Sequence, residues 1–229
     1  MISFYSKKRI IPFSLLAALL LICITVTAVG ANQKMATVAS CISVYEESDN
    51  SVTRRQALNT LEDVVTRRGI NTPKVVRDLL VNALNDKSPV VVSVAVYQIG
   101  NFGIPGLDTK LINLYDEVEK KYSASYARRI QYAIVPALGK TGGAEASVFL
   151  SRLLAEDNGT AMGEFLLLAI NELHEPALID VVSQYKVKMQ GMVQYAKSQN
   201  VDPLIYSRRE RYANLAAGIE KALGSKGGK

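Results

Sequence analysis

Apolar segments of helical period recur along this chain about every 35 to 40 residues, and short breaks separate them. The breaks carry residues that end or begin helices: Gly69, Gly100 and Gly139 close segments, whereas Pro73 and Pro89 open others. Gly100 and Gly139 are 39 residues apart, and the stretch between them holds two predicted helices. A two-helix unit repeated at this interval predicts an all-α fold in which helix pairs stack on one another.

Four helix pairs are predicted from the breaks. They cover residues 51–68 with 73–85, 89–100 with a segment from 105, 123–139 with 144–157, and 159–173 with a segment from 176. Apolar residues spaced three and four apart predict the buried face of each helix. In the first two pairs the residues predicted to face inward are Val52, Leu58, Leu61, Val64, Val65, Val75, Val76, Leu79, Leu80, Ala83, Leu84, Val94, Ala95, Ile99, Leu111, Leu114 and Val118.

An internal match extends the repeat towards the C-terminus. Residues 126–133 and 206–213 share the pattern Y-x-R-R-x-x-Y-A at a spacing of 80 residues, which is about two repeat units. The match predicts a further helix over residues 204–223 that closes the stack. Four to five helix pairs are therefore expected in all.

One segment carries a family resemblance. Residues 86–100 read D-x-S-P-x-V-x-x-x-A-x-x-x-I-G, which resembles the first-helix pattern of HEAT repeats, although Ser93 or Val92 stands where that family has arginine. The resemblance covers roughly residues 49–185. It implies a right-handed α-solenoid whose second helices line a concave, protein-binding face, and it brings no catalytic residues with it.

The predicted organisation has five segments. The leader, residues 1–31, is an export signal: Lys7, Lys8 and Arg9 precede an uncharged apolar core, and a small-residue stretch ends in Val29-Gly30-Ala31. A capping helix over 32–50, HEAT-like repeats over 51–185, a C-terminal helical cap over 186–223 and a flexible basic tail over 224–229 follow.

Two alternatives for the N-terminus stay open. A helix over residues 10–29 is long enough to span a bilayer, so the leader is alternatively an uncleaved inner-membrane anchor that tethers a periplasmic domain. Val38-Ala39-Ser40-Cys41 also has the form of a lipidation motif, although Asn32-Gln33-Lys34 separates it from the apolar core. With Cys23 in the leader, Cys41 has no partner for an intramolecular disulfide in the mature chain.

The formal charge of +6 is unevenly spread. Residues 186–229 hold nine basic and three acidic residues, whereas residues 32–185 hold 15 basic and 18 acidic ones. A slightly acidic body with a basic C-terminal quarter does not predict nucleic-acid binding. The basic quarter instead suggests, as an alternative function, an envelope-surface protein that holds anionic lipid or polymer.

The residues needed for catalysis are missing from the sequence. It has one histidine, His174, and no phosphate-binding loop, nucleophile elbow or zinc-protease motif. We therefore predict no enzymatic activity, no metal site, no cofactor and no small-molecule substrate.

The expected function is that of a non-catalytic scaffold or adaptor in the bacterial cell envelope, periplasmic or secreted, which grips a protein partner. Polar residues of the second helices are the candidate contacts: Arg77, Asp78, Asn82, Lys110, Asn113, Asp116 and Arg152. Three arginine pairs form a candidate basic ridge, or alternatively a ladder of bonds between repeats: Arg54 with Arg55, Arg128 with Arg129, and Arg208 with Arg209.

The leader generates the first testable prediction. Signal cleavage after Ala31 yields a mature chain that begins at Asn32. N-terminal sequencing of the protein purified from its native cells checks this. An intact Met1 on a soluble cytoplasmic chain would contradict the export prediction.

Overall fold

The computed structural model describes residues 37–67 and 72–225. Within those ranges the chain is helical, without strands, which confirms the predicted all-α class. The leader and residues 226–229 of the tail lie outside the described residues. The helices are α1 (Val38–Glu47), α2 (Ser51–Arg67), α3 (Lys74–Ala83), α4 (Pro89–Asn101), α5 (Asp108–Lys121), α6 (Ala124–Thr141), α7 (Ala144–Glu156), α8 (Met162–Leu173), α9 (Ile179–Ser198) and α10 (Pro203–Gly224), with a 3₁₀ turn at Pro176–Leu178 before α9.

Each odd-numbered helix packs most closely on the even-numbered helix that follows it, which gives five pairs from α1/α2 to α9/α10. The predicted register of pairing is therefore wrong by one helix: α2 pairs with α1, and it makes no extensive contact with α3. Each odd-to-even connection is short, and in three of the five a polar side chain accepts a bond from an N–H group in the first turn of the even helix: Asn50 from Val52, Thr160 from Met162, and Asp202 from Leu204.

A second set of contacts runs between pairs. The even helices form one row, in which α2 packs on α4, α4 on α6, α6 on α8, and α8 on α10. The odd helices make a looser row: α5 packs on α7 and α7 on α9, whereas α3 makes no extensive contact with α5.

Two glycines allow the even helices to approach each other. A Cβ on Gly100 of α4 would lie 2.9 Å from the Ala137 Cα of α6, and one on Gly139 of α6 would lie 2.7 Å from the Ala169 Cα of α8. Both glycines were predicted to end helices, but α4 continues to Asn101 and α6 to Thr141. Their role is to let one backbone touch the next, which no other residue permits.

Most residues predicted to face inward are buried in the core between the two rows. The prediction is wrong for Val52 and Val75, because each lies in the first turn of its helix and is about half exposed. Val94 is only partly buried and lies on the outer side of α4, whereas its neighbour Ala95 is completely buried. The core is thus assembled from one stripe of each helix, as the period predicts.

The glycine contacts generate a prediction about stability. Gly139→Ala places a methyl group against the α8 backbone and should reduce the free energy of unfolding by about 1–3 kcal/mol. Gly218→Ala is the matched control, since a Cβ at that position in α10 meets nothing within 4 Å. It should stabilise by roughly 0.4–1 kcal/mol by restricting the unfolded chain. Urea denaturation of both variants measures the difference, and an unchanged stability of Gly139→Ala would disprove the close approach.

Candidate protein-binding face

Arg54, from the arginine pair Arg54–Arg55, is bonded within the folded structure. Arg54 of α2 donates from Nε to Asp86 Oδ2 at 2.7 Å and from Nη2 to Asp86 Oδ1 at 2.9 Å. Its Nη1 donates to the Ser48 carbonyl at 2.9 Å, and both side chains of the ion pair are more than 90% buried. Arg54 therefore links two helix pairs and is not available to an exposed basic ridge.

Asp86 is a junction for several elements. The Tyr45 hydroxyl of α1 donates to Asp86 Oδ2 at 3.1 Å, the Ser88 N–H donates to Oδ1 at 2.8 Å, and the Tyr122 hydroxyl donates to the Asp86 carbonyl at 2.9 Å. Burial by itself raises the pKa of the Asp86 carboxyl, but the hydrogen bonds from Arg54, Ser88 and Tyr45 outweigh it and hold the pKa below its usual value. The carboxylate is thus ionised and fully bonded.

A related junction occurs two helix pairs further along. Buried Asp157, in the turn before α8, accepts a bond from the Tyr185 hydroxyl of α9 at 2.7 Å and from the Gly159 N–H at 2.8 Å. Lys188 Nζ donates to the carbonyls of Ala155 and Asp157 at 2.9 and 2.7 Å. Burial, followed by the Asp157 bond, raises the pKa of Tyr185, which keeps its hydroxyl protonated as a donor.

Arg55 has a different environment from Arg54, since adjacent helical residues point about 100° apart. It lines an open cleft of about 490 Å³ that crosses three even helices. The lining residues are Arg55 and Asn59 of α2, Val90, Ser93, Val94 and Tyr97 of α4, and Arg129, Tyr132 and Ala133 of α6. We call this surface the arginine cleft.

The arginine cleft has two guanidinium groups and no carboxylate in its lining. Arg55 Nε is buried and has no hydrogen-bond partner. Neither Arg55 nor Arg129 forms an ion pair with any residue that the structure describes. The cleft therefore carries two cations without an ion pair among the described residues. Arg55 is partly desolvated, where attraction for an anion is stronger than in bulk water, and Arg129 is exposed.

Exposed apolar side chains extend the cleft along the row of even helices. Tyr97 is 55% exposed, and Tyr132 stacks on Phe165 of α8 with ring centroids 5.3 Å apart. Phe165 and its neighbour Leu168 are 38% and 48% exposed. Large apolar groups that are exposed together on successive helices are typical of a contact surface. We call Tyr97, Tyr132, Phe165 and Leu168 the aromatic row.

The residues predicted from the second helices do not meet at one place. They lie on the odd helices, and six of them line three separate clefts. Arg77 and Asp78 line a cleft by the α4–α5 turn, Lys110 and Asn113 one between α3 and α5, and Asp116 and Arg152 one between α5 and α7. The seventh residue, Asn82, is exposed on α3. Asp78 is paired with Lys74 at 2.6 Å, and the Arg152 guanidinium lies 5.1 Å from the centre of the Phe149 ring.

The other predicted arginines differ among themselves. Arg128 and Arg208 are both exposed, on even helices two pairs apart. Arg129 lines the arginine cleft, whereas Arg209 packs against Gly159 and has a buried, unpartnered Nε. The three pairs thus do not form one ridge within the described residues.

Several cations of the C-terminal quarter form ion pairs with carboxylates of the same chain. Lys186 pairs with Glu220, Lys197 with Glu210 at 3.0 Å, and Arg211 with Glu164 at 2.7 Å. Three carboxylates therefore neutralise cations that the lipid-binding alternative needs free.

The histidine and the described cysteine, which could act in catalysis or metal binding, lie in different parts of the structure. His174 is exposed in the turn after α8, in the left-handed conformation, and Cys41 is buried in α1. In the two described ranges, no group of three or more His, Cys, Asp or Glu side chains is arranged to hold a metal ion. None of the described helices is long and apolar enough to cross a membrane.

Sequence reasoning missed most of the aromatic row and the neutral lining of the cleft. A signal was present in α4, where Val90, Val94 and Tyr97 form an apolar stripe opposite the buried one. A helix that is apolar on both sides has a second surface to cover. No family model, curated protein or solved structure matches this chain.

The buried ion pair generates a prediction. Arg54→Ala leaves Asp86 charged, buried and without its main partner, and should cost about 3–5 kcal/mol of unfolding free energy at neutral pH. Arg128→Ala, at an exposed site on α6, should change stability by less than roughly 0.5 kcal/mol. Because the folded pKa of Asp86 is depressed, the pair stabilises the fold above pH about 4 and loses its effect as pH falls through the folded pKa.

Denaturation of the wild type and both variants between pH 7 and pH 3 measures this. The deficit of Arg54→Ala should shrink in acid. Equal stability of Arg54→Ala and Arg128→Ala at pH 7 would contradict a stabilising role for the pair.

Proposed function

We propose that this protein is a non-catalytic binding scaffold of the bacterial cell envelope, and that its five helix pairs form a HEAT-like α-solenoid. The export leader supports the compartment, and the helix-pair interval together with the resemblance of residues 86–100 supports the family. The protein partner docks on the row of even helices.

The packing of the two rows supports the choice of face. Even helices touch backbone to backbone at Gly100 and Gly139, whereas an open cleft separates α3 from α5, and a second cleft lies at the surface where α5 packs on α7. When one row of a stacked structure is spaced more tightly than the other, the stack bends towards the tight row. The even helices then line the concave side, in place of the second helices expected from the family resemblance.

The exposed aromatic row is the observation that carries this function. Tyr97, Tyr132 and Phe165 lie on three successive even helices. Tyr97 and Tyr132 line the cleft with the two arginines, and Phe165 stacks on Tyr132. Aromatic and arginine side chains are the residue types that contribute most to protein–protein affinity. Exposed apolar groups on the odd row include Val75 and Val148, which lie two pairs apart on α3 and α7.

An affinity experiment tests the proposal. The mature chain, immobilised, should capture a specific partner from a detergent extract of the native cells. Tyr97→Glu and Phe165→Glu each place a charge in the apolar contact and should weaken that capture by about 30-fold or more, the effect of losing a dominant interface residue. Val148→Glu is the matched control, because Val148 is 73% exposed on an odd helix. It should retain the partner.

Thermal melting of the three variants shows whether each one is folded. Loss of the partner from folded Val148→Glu, with capture by Tyr97→Glu and Phe165→Glu intact, would place binding on the odd row. The proposed face would then be wrong.

A further inference from the structure

The unpaired arginines identify the chemistry of the partner. We propose that the arginine cleft binds a carboxylate-bearing, extended segment of the partner, an acidic peptide with interspersed aromatic or aliphatic side chains. This inference rests on the proposed function and names the ligand class of the same face.

Charge complementarity is the first argument. Arg55 and Arg129 line one cleft, from α2 and from α6, without any carboxylate among the lining residues. A guanidinium presents a planar fork of donors that matches a carboxylate with two parallel hydrogen bonds. Arg54, one residue away, bonds Asp86 in this forked manner. The Arg55 guanidinium has the same donors, and its buried Nε has no acceptor.

The neutral groups of the cleft favour a peptide. Asn59 and Ser93 supply amide and hydroxyl groups that can bond a peptide backbone, and Tyr97 and Tyr132 supply flat apolar walls. The aromatic row continues from Tyr132 to Phe165 and Leu168 on the next even helix. A surface that crosses from α2 to α8 suits an extended chain with several side chains better than a single anionic headgroup.

We assign the acidic occupant to another molecule, because the segments of this chain outside the described ranges supply no acidic side chain. Residues 1–36 contain four basic residues and no acidic ones, and residues 68–71 and 226–229 add only basic charge. Segments with this charge are repelled by Arg55 and Arg129. A second copy has acidic stretches, at residues 46–49 and 116–119, and oligomeric state therefore belongs in the test.

Selection from a phage-displayed library of random dodecapeptides on the mature protein tests the inference. We expect the enriched peptides to be acidic and to contain aromatic or aliphatic residues. The synthetic form of the most enriched peptide should bind the R55E/R129E double variant at least about tenfold more weakly, because both donors become repulsive. Affinity for the wild type should also fall as NaCl rises from 50 to 500 mM.

Arg128→Glu is the matched control. It reverses one arginine charge, where R55E/R129E reverses two, at an exposed position next to Arg129 that does not line the cleft, so binding should change by less than about threefold. Circular dichroism melting of each variant separates a lost site from a lost fold. Selection of neutral or basic peptides, or the absence of any enrichment, would overturn the inference.

Two further measurements address other occupants. Binding to phosphatidylglycerol vesicles that is lost in R55E/R129E, without any acidic peptide, would assign the cleft to lipid and overturn the proposal. A salt-sensitive dimer in sedimentation velocity that is lost in R55E/R129E would assign it to a second copy. If the captured partner needs Tyr97 and Phe165 but not Arg55 and Arg129, the proposed function stands and this inference fails.

Discussion

The backbone contacts at Gly100 and Gly139 determine how the even helices of this protein are arranged. Each glycine lets an even helix touch the alanine of the next, at a distance that leaves no room for a Cβ. The odd helices have no such contact with each other, and an open cleft lies between α3 and α5. Because the even row is tight and continuous, its outer surface places residues of α2, α4 and α6 around a single cleft. The proposed binding face is therefore a consequence of two small residues.

Polar junctions hold the pairs in register. Asp86 and Asp157 each lie in a turn before an even helix, accept the N–H groups of that turn, and bond a tyrosine from a neighbouring pair. A buried carboxylate is costly unless every lone pair is used, and both turns meet that condition. Arg54 is committed to Asp86, whereas Arg55, next to it in the chain, points away from the junction into the cleft. Of these two neighbouring arginines, Arg54 stabilises the fold and Arg55 belongs to the proposed binding site.

Periodicity was sufficient to predict the helices, the repeat interval and most of the core, since these depend on local spacing. Ala95 and Leu80, for example, are completely buried as expected. The pairing register and the glycine contacts depended on distances between helices, which sequence spacing does not contain. For the same reason the sequence could not distinguish Arg54 from Arg55. The apolar outer stripe of α4 was readable, but only packing shows that Tyr97 borders a cleft lined by Arg129.

The central claim is that a protein partner sits on the even-helix row. The most direct measurement is site-specific photo-cross-linking in the native cells, with p-benzoylphenylalanine in place of Tyr97 or, on the odd row, in place of Val148. Both side chains are exposed, so the cross-linker is tolerated at either position. The account predicts a discrete protein adduct from position 97 and none from position 148. An adduct from position 148 alone would contradict it.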